Sequence, residues 1–276
     1  MSRSKKRRID QLLVDKGFFT SRERARRGLM AGVVFYEGNR IDKPGTLVDA
    51  DGEIEVKKDP CPFVGRGGLK LEAALREFDV PVRGRTALDA GASTGGFTQC
   101  LLRWGAKMVY AVDVGYGQLD WELRRDERVR VLERTNLRYL TPEQLGAEVD
   151  LATLDLSFIS LAKVFPAVRE LLSSEGDVIA LVKPQFEAGP ELVGKGGIVR
   201  DPAVHRQVLL NTIKKASELG FQYRDVAYSP LCGSDGNIEF FLLLGSNGAE
   251  LRRDLRTEIG AIVEKAHSVL ADRRRR

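Results

Sequence analysis

The chain has 276 residues, 43% hydrophobic and 30% charged, with a net charge of +5, enough apolar material for one large or two smaller cored domains and too much for a disordered chain. Three widely spaced cysteines (Cys61, Cys100, Cys232) and two histidines argue against a disulfide framework, a CxxC metal site or a zinc enzyme, and fit a reducing cytoplasm. No uncharged stretch exceeds 13 residues, too few to span a bilayer, and the basic start MSRSKKRRID has no apolar core behind it and does not read as a secretory signal.

The excess positive charge is all N-terminal. Residues 1–58 hold 14 Lys+Arg against 9 Asp+Glu, and residues 59–276 hold 30 of each. It clusters at Lys5, Lys6, Arg7 and Arg8 and again at Arg22, Arg24, Arg26 and Arg27, the footprint of a polyanion-binding module or, more simply, of a solvated basic face. Ile9, Leu12, Leu13 and Phe18 fit a short helix ended by Gly17, and Ser21 is placed to cap a second helix that carries the second arginine cluster. GVVFYEGNRI reads as strand, turn and strand around Glu37-Gly38-Asn39, and GEIEV as a further strand. Helix, helix and small sheet, with SRERARRGLMAGVVFYEG running through them, resemble the S4-type RNA-binding domain.

KKDPCPFVGRGG, rich in proline and glycine, reads as a linker, so the expected division is residues 1–58, a linker at 59–68 and a second domain at 69–276. Leu69, Leu71, Ala74, Leu75 and Phe78 then open a helix with Lys70 in its first turn. Beyond it seven apolar runs alternate with helical patterns: TALDAG, MVYAVDVG, RVRVLE, VDLATLDL, DVIALVKP, YRDVAYS and NIEFFLLLG. That order predicts an α/β domain with a mostly parallel seven-stranded sheet and helices on both faces. Ligands then collect at the carboxyl ends of the strands.

The first strand runs into LDAGASTGGF, a turn of Gly91, Ala92, Ser93, Thr94, Gly95 and Gly96 that leads into a helix at Phe97. Its spacing is not the GxGxxG of a dinucleotide site. Seventeen residues after Gly96 the second strand ends in Asp113, where a carboxylate can accept both hydroxyls of a ribose. Turn plus acid point to S-adenosylmethionine, with a nicotinamide cofactor or a structural turn as the alternatives. Asp89 is placed either to touch the ligand or to cap the next helix.

Asp155 ends the fourth strand, Lys183 ends the fifth, and Glu239 enters the last in GNIEFFLLL. A charge left unpaired at such apolar strand ends costs several kcal/mol, so each needs a partner, and Lys70 completes two lysines and two carboxylates. Taken singly each is equally an ordinary strand-end ion pair.

Lys-Asp-Lys-Glu on such a sheet resembles the FtsJ-type ribose 2'-O-methyltransferases. With GRGGLKLE, LDAGASTGGFT, AVDVGYGQL, ERTN, DLSFISL, LVKPQFE and GNIEFFL in order behind the N-terminal module, residues 5–245 resemble the TlyA family, which also carries the name hemolysin A. The resemblance implies an S4-type domain joined to a Rossmann-like methyltransferase domain, and a catalytic tetrad of Lys70, Asp155, Lys183 and Glu239. It implies adenosylmethionine contacts from Asp89, the glycine turn through Phe97, Asp113, and Asn136 of ERTN near the adenine. Arg66 of the linker joins the N-terminal basic residues as an expected RNA contact, and Gly65 stands where members of the family often have serine. The implied substrate is the cytidine 2'-hydroxyl of ribosomal RNA. Lys183 is the candidate to deprotonate that hydroxyl or to stabilise the alkoxide as it forms, and neither role calls for a metal. Two other functions stay open at this stage. One is a membrane-lytic protein, for which the amphipathic stretch from Ala249 to Ala271 is the candidate segment, and the other is a catalytically silent RNA-binding protein.

Overall fold

The computed structural model describes residues 6–19, 21–57, 61–233, 235–247 and 254–274. The chain forms two compact units, Met1–Pro62 and Phe63–Arg276.

The first unit runs β1 (Lys6–Arg8), α1 (Ile9–Asp15), α2 (Arg22–Ala31), β2 (Val34–Tyr36), β3 (Asn39–Arg40), β4 (Leu47–Asp49) and β5 (Ile54–Val56). Ser21 caps α2 as its position predicts, its side chain accepting from the Arg24 amide at 3.2 Å. β2 lies between β3 and β5, antiparallel to both. Ile9, Leu12, Leu13, Ala25, Leu29 and Val34 form the core of the unit. Two features escape the sequence pattern. The KRR of the basic run is strand β1, paired antiparallel with β4, because three charged residues carry no apolar alternation to announce a strand. Phe18 lies beyond α1 and is 42% exposed instead of belonging to the helix face.

The second unit opens with α3 (Gly67–Phe78) and continues β6 (Thr86–Ala90), α4 (Gly96–Arg103), β7 (Met108–Val112), α5 (Trp121–Arg125), β8 (Val129–Leu132), α6 (Pro142–Leu145), β9 (Val149–Leu154), α7 (Phe165–Leu171), β10 (Leu172–Val182), α8 (Pro184–Glu187), α9 (Pro202–Glu218), β11 (Gln222–Tyr228), β12 (Phe240–Gly245) and α10 (Leu255–Arg274). All seven expected strands join one sheet, in the order β11-β12-β10-β9-β6-β7-β8. Pairs from β10 through β8 are parallel, and β12 is antiparallel to both β10 and β11. β10 starts at Leu172 rather than Asp177, with a register irregularity between the two.

The strand order reverses between β6 and β9, where an open α/β sheet has its crevice. At that point the Asp155 amide donates to the Ala90 carbonyl at 2.9 Å, so the two strands deliver Gly91 and Asp155 side by side. Strand alternation sends Leu88 and Ala90 to one face, into a core shared with Leu154, Phe165, Leu209 and Leu242. Asp89 goes to the other face, where Thr98 of α4 donates to its Oδ2 at 2.6 Å.

α10 accounts for the amphipathic C-terminal stretch. Its Ile259, Val263, Ala266 and Leu270 are buried in the same core, so the apolar face a lytic helix would need is already covered, while Leu251 lies outside the described residues. Among the described residues no helix is long and apolar enough to cross a membrane.

Candidate active site

The turn after β6 is shaped by close approach. Gly91 has φ +87°, and a Cβ there would run into the Asp155 carbonyl oxygen. Asp113, just past β7, accepts from the Ser93 amide at 2.8 Å through Oδ2 and from the Gly115 amide at 2.7 Å through Oδ1. Each oxygen keeps a lone pair for a further donor. A cavity of about 520 Å³ opens here, lined by Gly91, Ser93, Asp113, Asn136 and Asp155 among the expected residues. Val112, Gln118, Thr135, Leu137, Leu156 and Phe158 also line it, and the sequence did not single them out.

Other residues of the turn do not reach the cavity wall. Phe97 is 3% exposed and packs near Phe241, ring centroids 6.4 Å apart. The Thr94 carbonyl accepts from the Asp120 amide at 3.1 Å. Ala92 is buried, Gly95 caps α4, and a Cβ on Gly96 would lie 2.9 Å from the Gly68 amide nitrogen and 3.1 Å from the Gly65 carbonyl oxygen. The missing Cβ atoms of Gly96 and Gly65 thus let the segment before α3 pack directly on the turn, and Gly67 and Gly68 are themselves the first residues of α3. At Gly65 a Cβ would sit 2.6 Å from Thr94 Oγ1, so a serine there would require Thr94 to move. Asp89 is fully buried two residues ahead of Gly91; its Oδ1 has no hydrogen-bond partner, and burial pushes its carboxyl up to about 7 against the pull of the Thr98 hydroxyl.

The four charged candidates meet as two ion pairs. Lys70 Nζ lies 2.5 Å from Glu239 Oε2, and Lys183 Nζ lies 2.7 Å from Asp155 Oδ1. Lys183 also donates to Ser157 Oγ at 3.0 Å. All four side chains are mostly buried, from 3% exposed at Glu239 to 20% at Asp155. Burial pushes the Glu239 carboxyl above its ordinary value, while Lys70 and then Lys183 pull it down, so both lysines act on one carboxylate. A Cβ on Gly67 would lie 3.8 Å from Asp155 Oδ2, which puts the first turn of α3 over the Lys183–Asp155 pair. Lys70, Lys183 and Asp155 all act on the Glu239 carboxylate, so the two pairs form one electrostatic cluster, and Asp155 carries it to the cavity wall.

In the first unit the basic residues are organised by one buried acid. Asp10, 0% exposed, accepts from Arg8 Nε and Nη2 at 3.1 Å, from Arg22 Nε at 2.9 Å and from Arg26 Nε at 3.3 Å. Arg8, and after it Arg22 and Arg26, hold the Asp10 carboxyl well below the usual carboxylate range. Arg7 pairs with Asp15, Lys6 is exposed on β1, Arg24 and Arg27 lie on α2, and Lys5 falls outside the described residues. Arg66, in the second unit, is exposed at the N-cap of α3.

Residues 63–246 match the family model for the FtsJ-like methyltransferases and residues 7–54 that for the S4 domain. YqxC of Bacillus subtilis is 51% identical over 98% of both chains. The 16S/23S rRNA (cytidine-2'-O)-methyltransferase TlyA of Mycobacterium tuberculosis is 49% identical over 87% of this chain and 90% of its own. A solved Streptococcus thermophilus structure, named for a hemolysin, superposes with a TM-score of 0.79 at 43% identity, over 99% of this chain and all of that one. With this sheet order, these paired charges at the strand ends and an S4 domain ahead of them, the chain belongs to the FtsJ-like methyltransferase family, among its TlyA relatives.

Proposed function

We propose that this protein transfers a methyl group from S-adenosylmethionine to a ribose 2'-hydroxyl of ribosomal RNA, cytidine being the target nucleoside as in the TlyA relative. The observation that carries this reading is the pair of ion pairs, Lys70–Glu239 and Lys183–Asp155, set beside the cavity of the glycine turn. The residues fit the cofactor. Asp113 has lone pairs to spare for ribose hydroxyls, and Asn136 and the apolar Val112 and Leu137 line the same cavity. Adenosylmethionine supplies an electrophilic sulfonium methyl group when bound.

The chain's own residues do the rest. Lys183, held by Asp155 and Ser157, neutralises the oxygen as it becomes an alkoxide or, once its own ammonium proton has passed to Asp155 or solvent, takes the proton of the 2'-hydroxyl. Lys70, fixed by Glu239, adds positive potential on the other side of the site and helps orient the hydroxyl for in-line attack. The test is an RNA substrate with 2'-deoxyribose at the target position. No methyl group should be transferred to it, because the acceptor atom is gone, and transfer would mean that the base is methylated instead.

Asp113→Ala should weaken adenosylmethionine binding about 10-fold or more, since hydrogen bonds to a charged group are worth about 1.5–3 kcal/mol. Calorimetry checks this, and the same titration of the wild-type chain separates an enzyme from a silent RNA-binding protein. Unchanged affinity in the variant would remove Asp113 from the site.

We further read the first unit as the rRNA-binding module, its Arg8, Arg22 and Arg26 preorganised by Asp10 to meet phosphates. Asp10→Asn adds a positive charge to the surface yet should weaken RNA binding on the order of 10-fold. The reason is that each arginine set loose costs about 0.5–1.5 kcal/mol to order again. A filter-binding titration in which the variant binds more tightly than wild type would mean that net charge alone governs this surface.

A further inference from the structure

Two of the motifs, DLSFISL and KPQFE, are joined at more than the Lys183–Asp155 pair. Glu187 stands four residues after Lys183, one helical turn away at the end of α8. Its carboxylate reaches across to the loop that follows β9. Oε2 accepts from Ser160 Oγ at 2.7 Å, and Oε1 accepts from the Leu161 amide at 2.7 Å. Leu161 is 2% exposed and begins a 3-10 turn, Leu161–Lys163, so this end of the loop is anchored in the core. At the other end Lys183 grips Asp155 and Ser157. One turn of chain, residues 183–187, therefore holds the loop 155–161 at both ends. Between the two grips Phe158 adopts φ +63°, left-handed backbone that a phenylalanine rarely takes, and its ring lies against Phe186 with centroids 5.0 Å apart. A bend of this kind persists where surrounding contacts hold it, and here they sit at both ends of the loop.

We propose that Glu187 is a positioning residue for methyl transfer: by fixing Ser160 and Leu161 it keeps Asp155 and Ser157 in place against Lys183 Nζ. This rests on the reading of Lys183 as the group that acts on the hydroxyl. Partial burial, which raises the Glu187 carboxyl above its ordinary value, agrees with a group built into the loop rather than solvated beside it. Glu187 touches no reacting atom, so its effect must pass through Lys183.

Glu187→Ala should lower the single-turnover rate of methyl transfer about 10-fold or more, displacements of an ångström at a reacting group costing up to about 100-fold. RNA affinity should stay within about threefold, and adenosylmethionine affinity should fall by less than the rate does, because the loop lines the cofactor cavity but Glu187 itself does not. Glu187→Gln should restore most of the rate, because its carbonyl can accept from the Leu161 amide and its amino group can donate to Ser160 Oγ. The deciding measurement is a double-mutant cycle with Lys183→Ala. In that background Glu187→Ala should cost little more, since the group it positions is already gone. Ser160→Ala, which removes one of the two bonds, gives the same cycle at smaller amplitude should Glu187→Ala fail to fold. Independent, multiplying losses would overturn the proposal, as would Glu187→Gln being as slow as Glu187→Ala. A Glu187→Ala chain that melts earlier but turns over normally would reduce the residue to a structural cap. Run alone, Lys183→Ala separates the two layers. If it is slow while Glu187→Ala is normal, only the positioning role fails; if it is near normal, the proposed mechanism fails and the positioning role with it.

Discussion

Lys183→Ala is expected to retain the fold and the affinities for adenosylmethionine and RNA while single-turnover methyl transfer falls about 100-fold or more, the loss typical of a missing general base. The fold should survive because the partner left behind, Asp155, is 20% exposed and borders a cavity from which water can reach it. Cofactor affinity should survive because the expected ribose and adenine contacts, Asp113 and Asn136, belong to other strand ends. Chelator should change nothing. Lys183→Arg separates the two roles left to the lysine. Guanidinium keeps the positive charge and does not give up its proton in a protein, so a variant that recovers most of the rate assigns the lysine to alkoxide stabilisation. One as slow as alanine assigns it to proton removal. Near-normal turnover by Lys183→Ala would reduce the lysine to a strand-end ion pair and end the ribose mechanism.

What could be read from the sequence was what burial penalises. Asp155, Lys183 and Glu239 stand out as charges at the ends of apolar runs, and Asp113 stands out because a strand stops on it one element after a glycine turn. The fold class followed from the same alternation of runs. Pairing was not legible. Lys70 and Glu239 are 169 residues apart, and nothing local says that Glu239 takes Lys70 rather than Lys183. Nor does FFLLL declare its direction, since an apolar run looks the same whether the strand enters the sheet parallel or, as β12 does, antiparallel between β10 and β11.

Neutral and already satisfied groups were the ones missed. Ser157 and Ser160 carry no charge to flag them, and Glu187 in KPQFE passes for a surface acid until its two donors are seen. Phe97 drew notice by lying next to the glycine turn, yet the helix it opens points it toward Phe241. In the first unit a charge count finds the arginines but treats Asp10 as a subtraction from them, whereas it is the residue on which three of them converge.

Removal of residues 1–58 should leave a folded domain that binds adenosylmethionine with wild-type affinity but methylates ribosomal RNA about 10- to 100-fold more slowly at physiological salt, as expected when a few phosphate contacts are lost. The two compact units support survival of the remainder, because the two ion pairs and the cavity all lie within Phe63–Arg276. Charge supports the loss of RNA binding, since residues 59–276 hold 30 basic and 30 acidic side chains and the excess leaves with the deleted segment. Salt dependence distinguishes a lost polyanion contact from a damaged enzyme. Each phosphate neutralised releases counterions and steepens the fall of log affinity with log salt, by about 0.7 on a single strand. The truncated chain should therefore show a shallower slope and its largest handicap at low salt, with the gap to wild type narrowing as salt rises. A uniform loss at all salt concentrations, with weakened cofactor binding, would mean that the deletion had harmed the second unit. Full activity on ribosomal substrate would mean that the second unit recognises its RNA alone, and the arginines gathered around Asp10 would need another partner.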